Sequence, residues 1–214
     1  RFLGRLQGRQ SGNVLLRRAQ HNQSLNPLFA LDFARACVAG KVRNSRQVLL
    51  RGARDAKSES DAAALTRGAQ DLAATLRALP DANDLDVLRG LEGGAARQYF
   101  ERQPMLVKAD LRAEFSMDGP PRDRMNALLS FLYSMWMNDC RSALEAVGLA
   151  PQVGFLHVLR PGRAALALDL MEEFRPFADR LALSLVNRGQ IRADDFLVRE
   201  GGGVSLSADA RKAV

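Results

Sequence analysis

The sequence predicts a mainly α-helical protein, and three observations carry that prediction. Apolar residues recur at helical spacing through most of the 214 residues. Strong N-cap residues stand at the start of the successive segments: Ser58, Asp84 and Asp123. Apart from a short piece within 108–121, extended patterns are confined to the two ends of the chain.

The first eight residues, RFLGRLQG, alternate apolar and basic side chains, which reads as one strand. A lone strand cannot satisfy its own backbone groups, so residues 1–8 are expected to be the remnant of a missing amino-terminal β-domain, with 9–214 a helical domain. A helix carrying Val14, Leu15, Leu16 and Ala19 breaks at Ser24 to Pro27, where proline suits the first turn of the next helix. Residues 28–54 then form one long basic helix, with a bend expected at Gly40. Ser58 with Asp61 resembles a capping box opening a third helix, which carries Leu65, Leu72 and Leu79 and stops at Pro80.

Asp84 caps a fourth helix over 85–103, in which Glu92 falls within the apolar stripe formed by Leu88, Ala95 and Tyr99. Gly93 and Gly94 follow, costing about 1 kcal/mol each relative to alanine, which close approach of another chain or a ligand would justify. The bland account of Glu92 is a partner such as Arg89. Residues 108–121 read as irregular, with a short extended piece and the turn Asp118-Gly119-Pro120-Pro121. Asp123 opens a fifth helix whose wide apolar stripe, Met125 to Trp136, predicts the central buried helix. A helix over 164–174 comes next, then another over 181–187 closed by Gly189. Two extended runs around Gly201-Gly202-Gly203 read as a β-hairpin, followed by a helix.

With 47% hydrophobic and 26% charged residues, the chain has the composition of a soluble globular protein. It holds no apolar run of the roughly 18 residues a membrane span needs, and a cytoplasmic location is expected. Cys37 and Cys140 lie far apart inside helical patterns and are expected to be buried free thiols. The net charge of +7 is uneven: residues 1–57 hold twelve Lys or Arg against Asp32 and Asp55. Such a face attracts polyanions, nucleic acid first, although a solvated helix face would also account for it. Walker-type, HExxH and GxSxG motifs are absent, so the chemistries they mark have no support.

The stretch GFLHVLRPGRAALALDLMEEFRP, residues 154–176, is the centre of the sequence. On a helix over 164–174, Asp169 and Glu172 stand at i and i+3 on one side, with Leu166, Leu170 and Phe174 packing beside them. An ionised carboxylate left unpaired in such surroundings costs several kcal/mol and needs a cation, a metal or hydrogen-bond donors. With His157, the two acids suit a divalent metal such as Mg²⁺ or Mn²⁺. His21, the other histidine, sits among Asn and Gln and reads as solvated.

Together with LRGLEGGAARQYF at 88–100 and NALLSFLYSMW at 126–136, this stretch resembles the CRISPR-associated integrase of the adaptation module, the first of the Cas proteins, most like its type I-C members. The resemblance implies an amino-terminal β-domain and an α-helical catalytic domain carrying one divalent-metal site. Matched residue by residue, it implies Glu92, His157 and Glu172 as ligands, with Asp169 on an acidic position beside the site. It further implies a homodimer, a small ferredoxin-like Cas partner, double-stranded DNA as substrate, and insertion of DNA fragments into the CRISPR array.

The expected reaction is metal-assisted phosphoryl transfer, with a DNA 3′-hydroxyl attacking in integration and water in cleavage. Asp169 is expected to steady the site or accept a proton. Arg160 and Arg163, in the loop after His157, are expected to meet phosphates, their alternative being plain surface charge on a turn. Two rival readings stay open on sequence alone: a non-catalytic helical DNA-binding scaffold, and a metal-dependent hydrolase of a small substrate.

Overall fold

The computed structural model describes residues 14–113, 115, 123–200 and 202–214. The expected strand at 1–8 and the turn at 118–121 lie outside the described residues. Seven helices occur among those described: α1 (Val14–Ser24), α2 (Pro27–Asp55), α3 (Glu59–Ala78), α4 (Leu85–Arg102), α5 (Arg124–Ala146), α6 (Ala165–Asn187) and α7 (Ala210–Ala213). One antiparallel hairpin joins β1 (Phe196–Val198) to β2 (Val204–Leu206), pairing Phe196 with Leu206. The expected fold class is therefore observed. No helix among the described residues is long and apolar enough to cross a membrane.

The helix starts at Asp84 and Asp123 follow the caps read from the sequence, and Asn26 adds one that was not read there. The Asn26 side chain accepts from Leu28 N and Phe29 N with Pro27 in the first turn, and the Asp84 side chain accepts from Asp86 N and Val87 N, each at 2.8 Å. The Asp123 side chain accepts from Asn126 N at 2.8 Å. Each such cap contributes about 1 kcal/mol. At the start of α6 no side chain caps; the Pro151 carbonyl accepts from Leu166 N at 2.8 Å and Ala167 N at 3.3 Å. That backbone contact pins the loop carrying His157 onto the first turn of α6. Gln20 of α1, buried, braces the same loop by donating to the carbonyls of Ala150 and Val153 and accepting from Ala150 N.

Three expectations are corrected. The central helix is α6 rather than α5: it buries both faces, including Asp169, Glu172 and Asp179, whereas Met135 of α5 is exposed. The 3.6-residue stripe describes one face of α5, whereas α6 is covered by α2 on one side and α5 on the other and so buries a wider part of its surface. Second, the two helices expected over 164–187 are one, with Pro176 inside it. Proline cannot donate to the Glu172 carbonyl and crowds the preceding turn. Asn44 of α2 donates to the neighbouring Glu173 carbonyl at 2.9 Å, so tertiary packing supplies a donor where the helix is disturbed. Third, the described residues after α4 hold short 3₁₀ turns at Gln103–Leu106 and Ala109–Leu111, with no extended piece among them.

Helix α2 packs against α3, α4 and α6, and α6 also packs against α5. Leu49, Leu65, Leu72, Leu88 and Leu128 are fully buried where these helices meet, each contributing roughly 1.5–3 kcal/mol. Helix α2 runs unbroken through Gly40. Its missing side chain lets α6 come close: a Cβ there would stand 2.8 Å from Glu173 Cγ. That approach brings the middle of α2 against the acidic stretch of α6.

Candidate functional site

Glu92 from α4 and Glu172 from α6 converge on one cation, the ammonium of Lys41 on α2. Lys41 donates to Glu92 Oε1 in a close hydrogen bond, and its Nζ lies 2.5 Å from Glu172 Oε2. Glu172 Oε2 is buried, so this ammonium is what neutralises it. Glu172 Oε1 accepts from Arg175 Nε at 2.8 Å. Burial pushes the Glu172 carboxyl up, but Lys41, then Arg175 and His157, outweigh it and hold the group below the usual carboxylate range. It is therefore a persistently ionised group at the centre of the fold.

His157 is brought in by the loop before α6. Its Nε2 lies 3.9 Å from Glu172 Oε1, while its Nδ1 is 2.7 Å from Asp169 Oδ1. A carboxylate oxygen accepts, so Nδ1 carries the hydrogen shared with Asp169, and Nε2 is the ring nitrogen left facing Glu172. Asp169 is fully buried and accepts three further hydrogen bonds, from the backbone N–H groups of Phe155 (2.6 Å), Leu156 (3.0 Å) and His157 (2.9 Å). One side chain thus fixes both the loop backbone and the ring. The loop fits because residue 154 is glycine: a Cβ there would lie 2.6 Å from the Ala165 backbone carbon and 2.7 Å from Asp169 Oδ2.

Of the residues singled out in the sequence, Glu92, His157, Glu172 and Asp169 are brought together. Among the described residues, however, no three His, Cys, Asp or Glu side chains already stand arranged around one ion; the ammonium of Lys41 lies where the carboxylates meet. Arg89 is not the partner of Glu92, since it binds Asp86 and the Leu156 carbonyl. Gly93 and Gly94 face open space, with no described atom within 4 Å of where a Cβ would stand, so no approach within the described residues explains them.

Arg160 and Arg163 flank the turn closed by the hydrogen bond from Arg163 N to Arg160 O, with Gly162 at φ +77°. Arg160 is exposed and Arg163 half-buried. The basic first quarter is less of a single face than its composition implied. Arg17, Arg35 and Arg46 donate to the backbone carbonyls of Gly148, of Leu79 and Ala82, and of Ala69, and Lys41 is spent at the site, whereas Arg18, Arg43, Arg54 and Lys57 are exposed.

Four participants escaped the sequence reading: Lys41, Arg175, Tyr133 and Asp179. The Arg175 guanidinium stacks 4.9 Å above the Tyr133 ring, and the Tyr133 hydroxyl donates a short hydrogen bond to Asp179. Tyr99 also faces that carboxylate, without an aligned bond. With Lys41, Glu92 and Arg175 they line a cavity of about 40 Å³, room for a few waters. The detectable signal was the acidic position Asp179, ten residues beyond Asp169 and on the apolar side of α6. Cys37 and Cys140 are buried free thiols as expected, and burial, then the charge of Asp169, pushes the Cys37 thiol up to about 12, so it is inert.

Burial pushes Asp179 up from 3.8 to about 6, although the hydrogen bond from Tyr133 pulls it back. A carboxyl raised on folding contributes its stability below its unfolded value and loses it as the pH climbs through the folded one. Asp179→Asn should therefore melt higher than the unaltered protein at pH 8, by the equivalent of about 3 kcal/mol at most, with the gain shrinking as the pH falls toward 5. Parallel thermal melts across that range check it; a gain independent of pH would mean that burial of the charge is not the cause.

The sequence profile described as CRISPR associated protein Cas1 matches residues 1–214. The CRISPR-associated endonuclease Cas1 1 of Moorella thermoacetica is 53% identical over 219 aligned positions, covering all of this chain and 64% of that protein. The chain thus spans just under two thirds of that relative. Among solved structures, a casposase bound to integration product superposes with a TM-score of 0.80 at 25% identity, over 99% of this chain and 61% of that one. A Cas6-RT-Cas1–Cas2 complex superposes at 0.81 and 30% identity, over 99% of this chain and 23% of that one.

Proposed function

Since the chain belongs to the CRISPR-associated Cas1 family, we propose that its helical domain is the catalytic part of a metal-dependent DNA endonuclease and integrase of spacer acquisition. One observation carries the reading: Glu92 and Glu172 meet at a single cationic position beside a histidine whose ring is oriented by Asp169. Two carboxylates and an imidazole are a donor set that suits Mg²⁺ or Mn²⁺, and Glu172 is a buried carboxylate that has to be neutralised by a cation. Glu92, His157 and Glu172 would hold the ion. When bound, it would neutralise charge on the scissile phosphodiester as the attacking oxygen's bond to phosphorus forms and the leaving oxygen's bond breaks.

The chain's own residues prepare that step. Asp169 sets the His157 tautomer and holds the loop; Arg175 keeps Glu172 ionised and is itself seated on Tyr133. Arg160 and Arg163, on the turn after His157, would take flanking phosphates, and the exposed Arg18, Arg43, Arg54 and Lys57 would follow the DNA backbone without reading sequence. A second copy of the chain and a small ferredoxin-like Cas partner would complete the assembly; the similarity to a Cas1–Cas2 complex supports a Cas partner, and that to a casposase on its integration product supports DNA as substrate.

Calorimetric titration with Mn²⁺ tests the metal, with saturable one-to-one heat expected from the whole protein and absent from Glu92→Ala. Duplex binding should weaken steeply between low and moderate salt. A non-catalytic scaffold would bind duplex with the same salt dependence and show no stoichiometric Mn²⁺ uptake.

A further inference from the structure

We propose that Lys41 is a built-in counter-ion that holds the metal-free site together and must be displaced when a divalent cation enters. This inference rests on the metal reading of the same site. Four lysines stand among the 31 basic residues of the chain, the other 27 being arginines, yet the cation between Glu92 and Glu172 is a lysine. The choice has a physical reason. An ammonium is a compact point charge on a flexible stem, able to sit between two carboxylates and to swing away. A guanidinium would lock each carboxylate in a planar two-point bond and leave less readily.

Without a metal, the two negative charges of Glu92 and Glu172 face the two positive ones of Lys41 and Arg175, contributed by three helices from separate parts of the chain. A divalent ion added to that cluster would face the Lys41 ammonium at close range, so the two cannot share the carboxylates. Arg175 is anchored on Tyr133 and by its bond to Glu172, whereas Lys41 pairs, among the described residues, with these two acids and borders the cavity into which its side chain can withdraw. Lys41 is the cation free to leave. It acts through the metal ligands and is a positioning residue.

The whole protein and Lys41→Met are titrated with Mn²⁺ by calorimetry and melted in chelator and in excess Mn²⁺. The variant should bind on the order of 10-fold tighter, since it loses a competitor. It should also melt lower without metal and gain more from adding it. In parallel, ¹⁵N-lysine spectra of the unaltered protein should show a Lys41 ammonium signal protected from solvent exchange, which vanishes at saturating Mg²⁺ while the signals of Lys57, Lys108 and Lys212 stay in place. That second readout stands even if the variant folds only with metal, an outcome that would itself support the inference. Saturable binding to the unaltered protein with no tightening in the variant, or a Lys41 signal that persists at saturation, would overturn displacement and leave the metal site intact. No binding by either protein would sink the metal reading and this inference together.

Discussion

Alanine at His157 should reduce Mn²⁺-supported cleavage of DNA by at least roughly 100-fold while leaving the helical circular dichroism and duplex affinity close to normal. The separation follows from where the ring sits. His157 is on a loop, and its one ring hydrogen bond is to Asp169, which keeps three backbone donors without it. Losing the ring removes a nitrogen from the cation's position and little packing. Glu92→Ala should behave alike, because Lys41 still neutralises Glu172 when Glu92 is gone. The exposed bases proposed to follow DNA are not touched by either change. Should both variants unfold, or should both cleave DNA at the original rate, these polar residues serve the architecture and not the reaction.

Asp169→Ala should do the opposite, collapsing stability before chemistry can be measured. Four hydrogen bonds end on this fully buried carboxylate, and its removal strands the N–H groups of Phe155, Leu156 and His157 in the core. Stranding buried donors and breaking a buried charged network costs about 3–5 kcal/mol, which lowers the melting temperature by on the order of 10 °C for a chain of this size. Asp169→Asn keeps the volume but turns a donor toward at least one donor, so it should melt between the two. In that variant ¹⁵N spectra of His157 should show the Nδ1–H tautomer no longer dominant. An alanine variant that melts normally and is inactive would instead place Asp169 in proton transfer, the role expected from its spacing to Glu172.

The different fates of Asp169 and Glu172 show where sequence reading stops. Their i and i+3 spacing placed both on one side of a helix, and they are there, yet one is spent on the backbone of its own loop and the other on Lys41. Helical periodicity reports a direction around one axis; it says nothing of what another helix brings to that direction. For the same reason Lys41 was read as part of a basic face: only the close approach at Gly40 turns it inward against α6. Pro176 was read as a helix end because its lost donor is a local fact, and the helix continues because a neighbouring helix supplies packing and a donor from Asn44.

What the amino-acid sequence determined unaided was the local: helix starts at Asp84 and Asp123, the break before Pro27, the hairpin at 196–206 and the buried thiols. These follow from hydrogen bonds and periodicities closed within a few residues. The tertiary structure alone decided that α6 is the centre, that Asp169 anchors while Glu172 faces a cation, and that the cation is Lys41. Those are outcomes of long-range packing, in which residues some 50 to 130 positions apart settle each other's charge because burial leaves none of them water to turn to.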